Sequence, residues 1–303
     1  MRIGIVGSGA LGLYYGAMLQ RAGEDVHFLL RRDLEAIAHK GLRVFSIKGD
    51  FTLPQVQGHT RTTDIGPVDL VLVGLKTFAN SALIELVKPL VGPQTAILTL
   101  QNGLGNEELL ASAFGAERVL GGVAFLCSNR GEPGEVHHLG EGRIRLAEMS
   151  CGLSERSQRL ATMFETAGVP CEACGDLIRI RWEKLVWNIP FNGLCALTGR
   201  HVTALLQHRP TRELITTMMR EVIAAANTQG LSVPLEAEKL IPRLLQLSDA
   251  MTGYQPSMMI DRLENRPLEL EAIYAIPLQR AATWGSPMPQ VDMLYRCLSV
   301  GEP

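Results

Sequence analysis

Lysine and arginine form no long run in this sequence, and 29 basic against 31 acidic side chains leave a formal charge of −2. That balance excludes a nucleic-acid backbone or an anionic membrane as the main partner. No apolar stretch reaches the roughly 20 residues needed to cross a bilayer. Export features are also missing, because Met1–Val6 reads as a short strand that runs straight into a glycine loop. A cytoplasmic protein with reduced thiols is therefore expected. Its six cysteines, Cys127, Cys151, Cys171, Cys174, Cys195 and Cys297, are scattered. The pair in Cys171-Glu172-Ala173-Cys174 has no second pair to complete a zinc ribbon and no thioredoxin-like helix start beside it. Both read as small strand residues. His137 and His138 are adjacent and, on a strand, point to opposite faces. No metal is expected. Internal repeats and low-complexity linkers are absent too.

What remains is a globular composition, 46% hydrophobic and 20% charged, on a chain of 303 residues. That length suits two domains. Short β-rich runs at 2–6, 25–30, 70–75 and 96–100 alternate with helical stretches, the pattern of a doubly wound α/β sheet. Runs at 119–126, 134–139 and 143–146, separated by Gly and Pro, predict an antiparallel extension on the sheet edge. Beyond about Ile178 the periodicity becomes helical, over 181–197, 211–229, 234–247 and 268–284. Pro210 marks the start of one helix, with Gly230 in the C′ position at its end. The prediction is an N-terminal Rossmann-type domain over residues 1–177 and an all-α domain over 178–303.

The first strand runs into Gly7-Ser8-Gly9-Ala10-Leu11-Gly12, a G-x-G-x-x-G loop followed by a helix. Gly7 permits the tight turn, Gly9 lets a pyrophosphate approach the backbone, and Gly12 allows helix–strand contact. The helix start supplies N–H groups and partial positive charge to phosphates. A dinucleotide site normally carries Asp or Glu at the end of its second strand to bind the ribose 2′-hydroxyl of NAD. Here the strand ends Leu29-Leu30-Arg31-Arg32, and no carboxylate stands there. Two guanidinium groups suit a 2′-phosphate, so NADP(H) is the expected cofactor, with Arg31 as its main contact. Asp33 is placed to cap the next helix. Lys76 and Asn102 follow further strands; each is either a cofactor or substrate contact or an ordinary loop residue.

The second domain opens on Trp182-Glu183-Lys184-Leu185-Val186-Trp187-Asn188-Ile189-Pro190-Phe191-Asn192. Lys184, Asn188 and Asn192 recur every four residues and share one helical face. Asn is a poor helix-interior residue, so two of them on an apolar helix call for a reason. An amine and two amides form a polar strip able to hold a carbonyl and a carboxylate; the other reading is a solvated face.

With these residues the chain resembles the ketopantoate reductase (2-dehydropantoate 2-reductase) family over nearly its whole length. The glycine loop, Arg31, Lys76 and the Gln101-Asn102-Gly103 turn match in order. The central family motif, a tryptophan, a lysine two residues on and asparagines four and eight beyond, falls on Trp182, Lys184, Asn188 and Asn192. A later segment falls on Ser257, Met258, Asp261, Arg266 and Glu269. The resemblance implies a proton-donating catalytic Lys184 and substrate contacts at Asn102, Lys184, Asn188, Asn192 and Ser257. It implies a second catalytic carboxylate, Glu269, near the cofactor. It also sets Cys127 beside Gly7, Ser8, Gly9, Ala10, Leu11, Gly12, Arg31, Lys76, Asn102 and Glu269 among cofactor contacts. Ser257 also reads as a helix N-cap, and Glu269 as a first-turn residue. The chain departs from the family at Tyr254 (Asn), Leu268 (Thr) and at Glu271-Ala272-Ile273-Tyr274-Ala275, where the usual run is Asp-Tyr-Ile-Asn-Gly.

The implied reaction is NADPH-dependent reduction of a small 2-oxo acid, with ketopantoate, a precursor in pantothenate and CoA biosynthesis, as the leading substrate. Its expected partners are that acid and, at most, a second copy of the chain in a homodimer. Two rivals stand beside it. One is another NADP-dependent hydroxyacid dehydrogenase, of the 6-phosphogluconate or 3-hydroxyacid type, which also pairs a lysine with an asparagine four residues on. The other is a non-catalytic NADPH sensor, which has no need of the lysine–asparagine strip.

Overall fold

Ten strands form one sheet in the order β4-β3-β9-β8-β7-β6-β1-β2-β5, with β10 also beside β9, in a computed structural model that describes residues 1–150 and 152–300. Cys151 lies outside the described residues. The strands are β1 Arg2–Val6, β2 Asp25–Leu29, β3 Leu42–Ser46, β4 Phe51–Leu53, β5 Gln57–His59, β6 Val68–Val73, β7 Val91–Thr99, β8 Val119–Arg130, β9 Glu135–Glu148 and β10 Cys171–Cys174. The helices of this unit are α1 Ala10–Arg21, α2 Leu34–Lys40, α3 Leu83–Val87, α4 Asn106–Phe114 and α5 Glu155–Thr166. Pairing is parallel from β5 through β2, β1, β6 and β7 to β8, as helical crossovers between buried strands require. Ile3 and Ile5 pack into one layer and Val6 into the other, so β1 is covered on both faces.

The antiparallel β8–β9 pair does extend the sheet, but not at its edge. β9 is one long strand, and β3 and β10 pair side by side along its outer flank. The apparent gap near 140 is a local irregularity in which Glu141 and Gly142 adopt positive φ (59° and 114°) inside the strand. The strands beyond it, β3 and β4, are too short for an apolar pattern to reveal them.

Chain contacts divide the protein into one unit of residues 1–101 and 106–177 and a second of 102–105 and 178–303. The second unit is helical: α6 Leu177–Thr198, α7 Val202–Gln207, α8 Arg209–Asn227, α9 Ala237–Asp249, α10 Ser257–Leu263, α11 Ile276–Thr283 and α12 Pro289–Ser299. A π-helical turn, Glu271–Ala275, leads into α11. Its core gathers Trp182, Val186, Ile189 and Phe191 of α6 with Met218 and Val222 of α8 and Tyr274. The end of α8 differs from expectation. Thr228 is its C-cap, so Gly230, at φ 74°, sits one residue past C′ and turns the chain after the helix has already closed.

Candidate active site

In the sheet unit, β1 delivers the chain into the glycine loop and α1 takes it away. Gly7 has φ 102°, and a Cβ there would lie 2.3 Å from the backbone nitrogen of Leu75. Only glycine fits that turn. A Cβ at Gly12 would meet the Gly7 carbonyl at 2.2 Å, whereas one at Gly9 would meet nothing within 4 Å. The loop is therefore packed tightly at its two ends and open at its middle. No side chain caps α1, whose first-turn N–H groups point toward that opening. Ser8 Oγ donates to the Leu29 carbonyl (2.7 Å), which ties the loop to the end of β2.

The two arginines after β2 have different fates. Arg32 donates to the Gly131 carbonyl (3.2 Å), whereas Arg31 is exposed with no side-chain partner among the described residues. Asp33 does not cap α2 with its side chain. Its buried carboxylate instead pairs with Arg130 and accepts from the Gly134 amide (3.0 Å), two partners that outcompete the cap. Arg130 also donates to the Ser8 carbonyl (2.9 Å), so one guanidinium holds the glycine loop and the β2–α2 turn together. Nothing in the sequence marked Arg130, because its partners lie 122 and 97 residues away. Lys76 follows β6, whose next residues pack against Gly7. Cys127 lies on β8 opposite Gly140, at a shift in register. Thr99, Gln101, Asn80 and Asn106 form a relay of hydrogen bonds of 3.0, 2.8 and 3.0 Å that stiffens the end of β7.

In the helical unit, Lys184, Asn188 and Asn192 lie on α6. Lys184 Nζ donates to Asn102 Oδ1 at 2.8 Å. Burial, and then the neighbouring Arg181, push the pKa of Lys184 from 10.5 down to about 7, while Glu269 opposes them. Arg181 and Glu269 are themselves buried, so this is a low-dielectric cluster of charges. Sequence reasoning passed over Arg181, since one arginine beside a tryptophan carries no pattern. Asn188 is buried, and its side chain makes no hydrogen bond among the described residues. Asn192 Oδ1 accepts from the Met258 amide at 3.3 Å, which brings the start of α10 to the strip. Ser257 is not the N-cap of α10; Pro256 holds that position and Ser257 is the first helical residue, its side chain exposed. Asp261 and Arg266 pair at 2.9 Å and fix the turn that leads to Glu269.

Of the three family departures, Leu268 and Tyr274 belong to the helical core, and the Tyr254 ring packs near Trp187 at 6.2 Å between centroids. Among the described residues no group of three or more His, Cys, Asp or Glu side chains is placed to hold a metal. No helix is long and apolar enough to cross a membrane. A surface groove between α8 and α9, edged by the Arg212–Asp249 and Arg220–Glu238 pairs, contains none of the strip residues.

Comparison with known proteins identifies the family and the fold. The family described as Ketopantoate reductase PanE/ApbA matches residues 3–150, and its C-terminal counterpart matches residues 176–302. A 2-dehydropantoate 2-reductase of Nostoc sp. is 43% identical over 97% of this chain and 93% of its own length. The crystal structure of a 2-dehydropantoate 2-reductase from Geobacter metallireducens is 61% identical, with a TM-score of 0.97 and 99% of each chain covered. A second, from Methylococcus capsulatus, is 29% identical with a TM-score of 0.90, covering 99% of this chain and 96% of its own. The fold is also that of a D-mandelate dehydrogenase, at 21% identity, a TM-score of 0.90 and coverage of 99% and 97%.

Proposed function

This chain belongs to the ketopantoate reductase family, and on that premise we propose that it reduces 2-dehydropantoate to pantoate with NADPH. The observation that carries the reading is Lys184: an amine with a pKa near 7, bonded to Asn102, on the helix that also bears the buried amides Asn188 and Asn192.

The sheet unit fits the cofactor. The open space at Gly9 and the uncapped start of α1 suit a pyrophosphate, and exposed Arg31 at the end of β2, with no side-chain partner among the described residues, suits a 2′-phosphate. Lys76, three residues past β6, would assist them. Bound there, NADPH supplies the hydride that the carbonyl carbon receives. The protein's own residues do the rest. Asn188 and Asn192 supply amide donors, and exposed Ser257 a hydroxyl, for the carboxylate and hydroxyl of the substrate. The Lys184 ammonium donates its proton to the carbonyl oxygen, which leaves a neutral amine and a secondary alcohol. Asn102, accepting from Nζ, aims that proton. A lysine with pKa near the working pH is both sufficiently protonated and sufficiently acidic for this role. Buried Glu269 keeps the ammonium form accessible by opposing the cost of burial.

Strip and hydroxyl suit one carboxylate and one or two hydroxyls, with Lys184 and the neighbouring buried Arg181 as the cations beside them. Leu268, in the helical core, and Tyr254, packed near Trp187, stand where the family pattern has a hydroxyl and an amide, so those two family groups are missing. The pocket then discriminates weakly against an acid that lacks the substrate hydroxyl. In steady-state NADPH oxidation, ketopantoate is turned over and 2-oxoisovalerate follows with kcat/KM within about tenfold of it. A strong preference for ketopantoate contradicts the relaxed pocket. Turnover of neither acid contradicts the substrate class.

A further inference from the structure

The π-turn Glu271–Ala275 is an irregularity with a local cause. The Ile276 amide bonds to the Glu271 carbonyl, five residues back instead of four. In that register the Ala272 carbonyl would need a donor at position 277, and Pro277 has no N–H. The freed carbonyl accepts the Leu104 amide at 2.9 Å. Gly103 passes directly beneath it in a left-handed conformation (φ 82°), where a Cβ would lie 2.3 Å from the same oxygen. Asn102, the next residue back, is the one whose Oδ1 receives the Lys184 proton donor. Two residues along the turn, the fully buried Tyr274 hydroxyl donates to the Ile189 carbonyl at 2.8 Å. Ile189 stands between Asn188 and Asn192, next to Pro190, which brings no N–H donor to α6.

We propose that this π-turn is the positioning element of the active site. Its Ala272 carbonyl fixes the Asn102 turn against Lys184, and its Tyr274 hydroxyl fixes α6 between the two substrate-binding asparagines. Tyr274 and Pro277 are thus positioning residues. The run that departs from the family pattern works from behind the reacting groups. The inference rests on the reductase reading for its kinetic consequences and on the Leu104–Ala272 and Tyr274–Ile189 hydrogen bonds for its structural ones.

Two variants test it separately. Tyr274→Phe removes one hydroxyl from a buried contact, so KM for ketopantoate rises about tenfold, the weight of one hydrogen bond, while NADPH affinity stays unchanged. Pro277→Ala restores a donor in the helix that competes for the Ala272 carbonyl. Amide hydrogen exchange at Leu104 then accelerates about tenfold or more while α8 amides keep their protection, and kcat falls with KM nearly constant. A Tyr274→Phe protein that loses thermal stability but keeps its KM overturns the Tyr274 arm. Unchanged Leu104 exchange in Pro277→Ala overturns the Ala272 arm. A wild type that does not turn over ketopantoate defeats the reductase reading instead, and the Leu104 comparison, which needs no activity, still decides the positioning claim.

Discussion

Lys184→Ala lowers kcat for ketopantoate reduction by about 10²–10⁴-fold, the usual weight of a general acid, with NADPH affinity close to wild type. The separation follows from the architecture: Lys184 bonds to Asn102 in the helical unit, whereas the glycine loop and Arg31 lie in the sheet unit. Loss of fold does not explain the expected deficit. With a folded-state pKa near 7 against an ordinary 10.5, Lys184 binds fewer protons in the native chain than in the unfolded one between those values. Its burial therefore costs stability in full below about pH 7, and the cost is relieved as the pH rises toward 10.5. Alanine removes that cost, so thermal unfolding at neutral pH should show no electrostatic penalty. Nicotinamide fluorescence gives cofactor affinity and stopped-flow absorbance gives the rate. A variant with near-normal kcat removes Lys184 from the chemistry, and a collapse of NADPH binding gives it a structural role instead.

Arg31→Ala weakens NADPH by about ten- to a hundredfold, from roughly 1.5–3 kcal/mol for a hydrogen bond to a charged group, and leaves NADH nearly unchanged. The contrast with Arg32 sharpens the expectation. Arg32 already donates to Gly131, whereas Arg31 has no internal partner among the described residues and is exposed at the end of β2. Arg32→Ala should therefore cost less. Titration of both nucleotides against both variants checks this. Equal losses for NADH and NADPH in Arg31→Ala would contradict a 2′-phosphate contact.

Local chemistry was readable from sequence, and long-range pairing was not. β1, its glycines and α1 are contiguous, and Gly7 and Gly12 answer steric needs set by neighbours within a few residues or on the next strand, while Gly9 leaves the loop open. The four-residue spacing of Lys184, Asn188 and Asn192 is a helical period and reads as such. That Asn102 meets Lys184 across 82 residues cannot be inferred from any period. Nor can the clamp of Arg130 on Ser8 and Asp33, which depends on where a twelve-residue strand happens to end. Asp33 looked like a helix cap because caps are local, but a guanidinium delivered by the sheet won its carboxylate. Strands β3, β4 and β5 carry three to five residues with mixed burial, too few for alternation to stand out. Tyr274 stands where the family run has an asparagine, and in the fold its ring fills the helical core and its hydroxyl serves Ile189.

The central claim is that a lysine with a pKa near neutrality protonates the carbonyl oxygen, and the pH dependence of kcat/KM for ketopantoate reduction at saturating NADPH tests it most directly. The acid must be protonated, so kcat/KM is level below about pH 7 and then falls tenfold per pH unit above the pKa of Lys184. In the direction of pantoate oxidation the same amine must be neutral, so the limb inverts and the rate rises through the same region. A reduction profile that is flat from pH 6 to 9 (a span of about two units above the predicted inflection), or one that rises with pH, contradicts Lys184 as the proton donor.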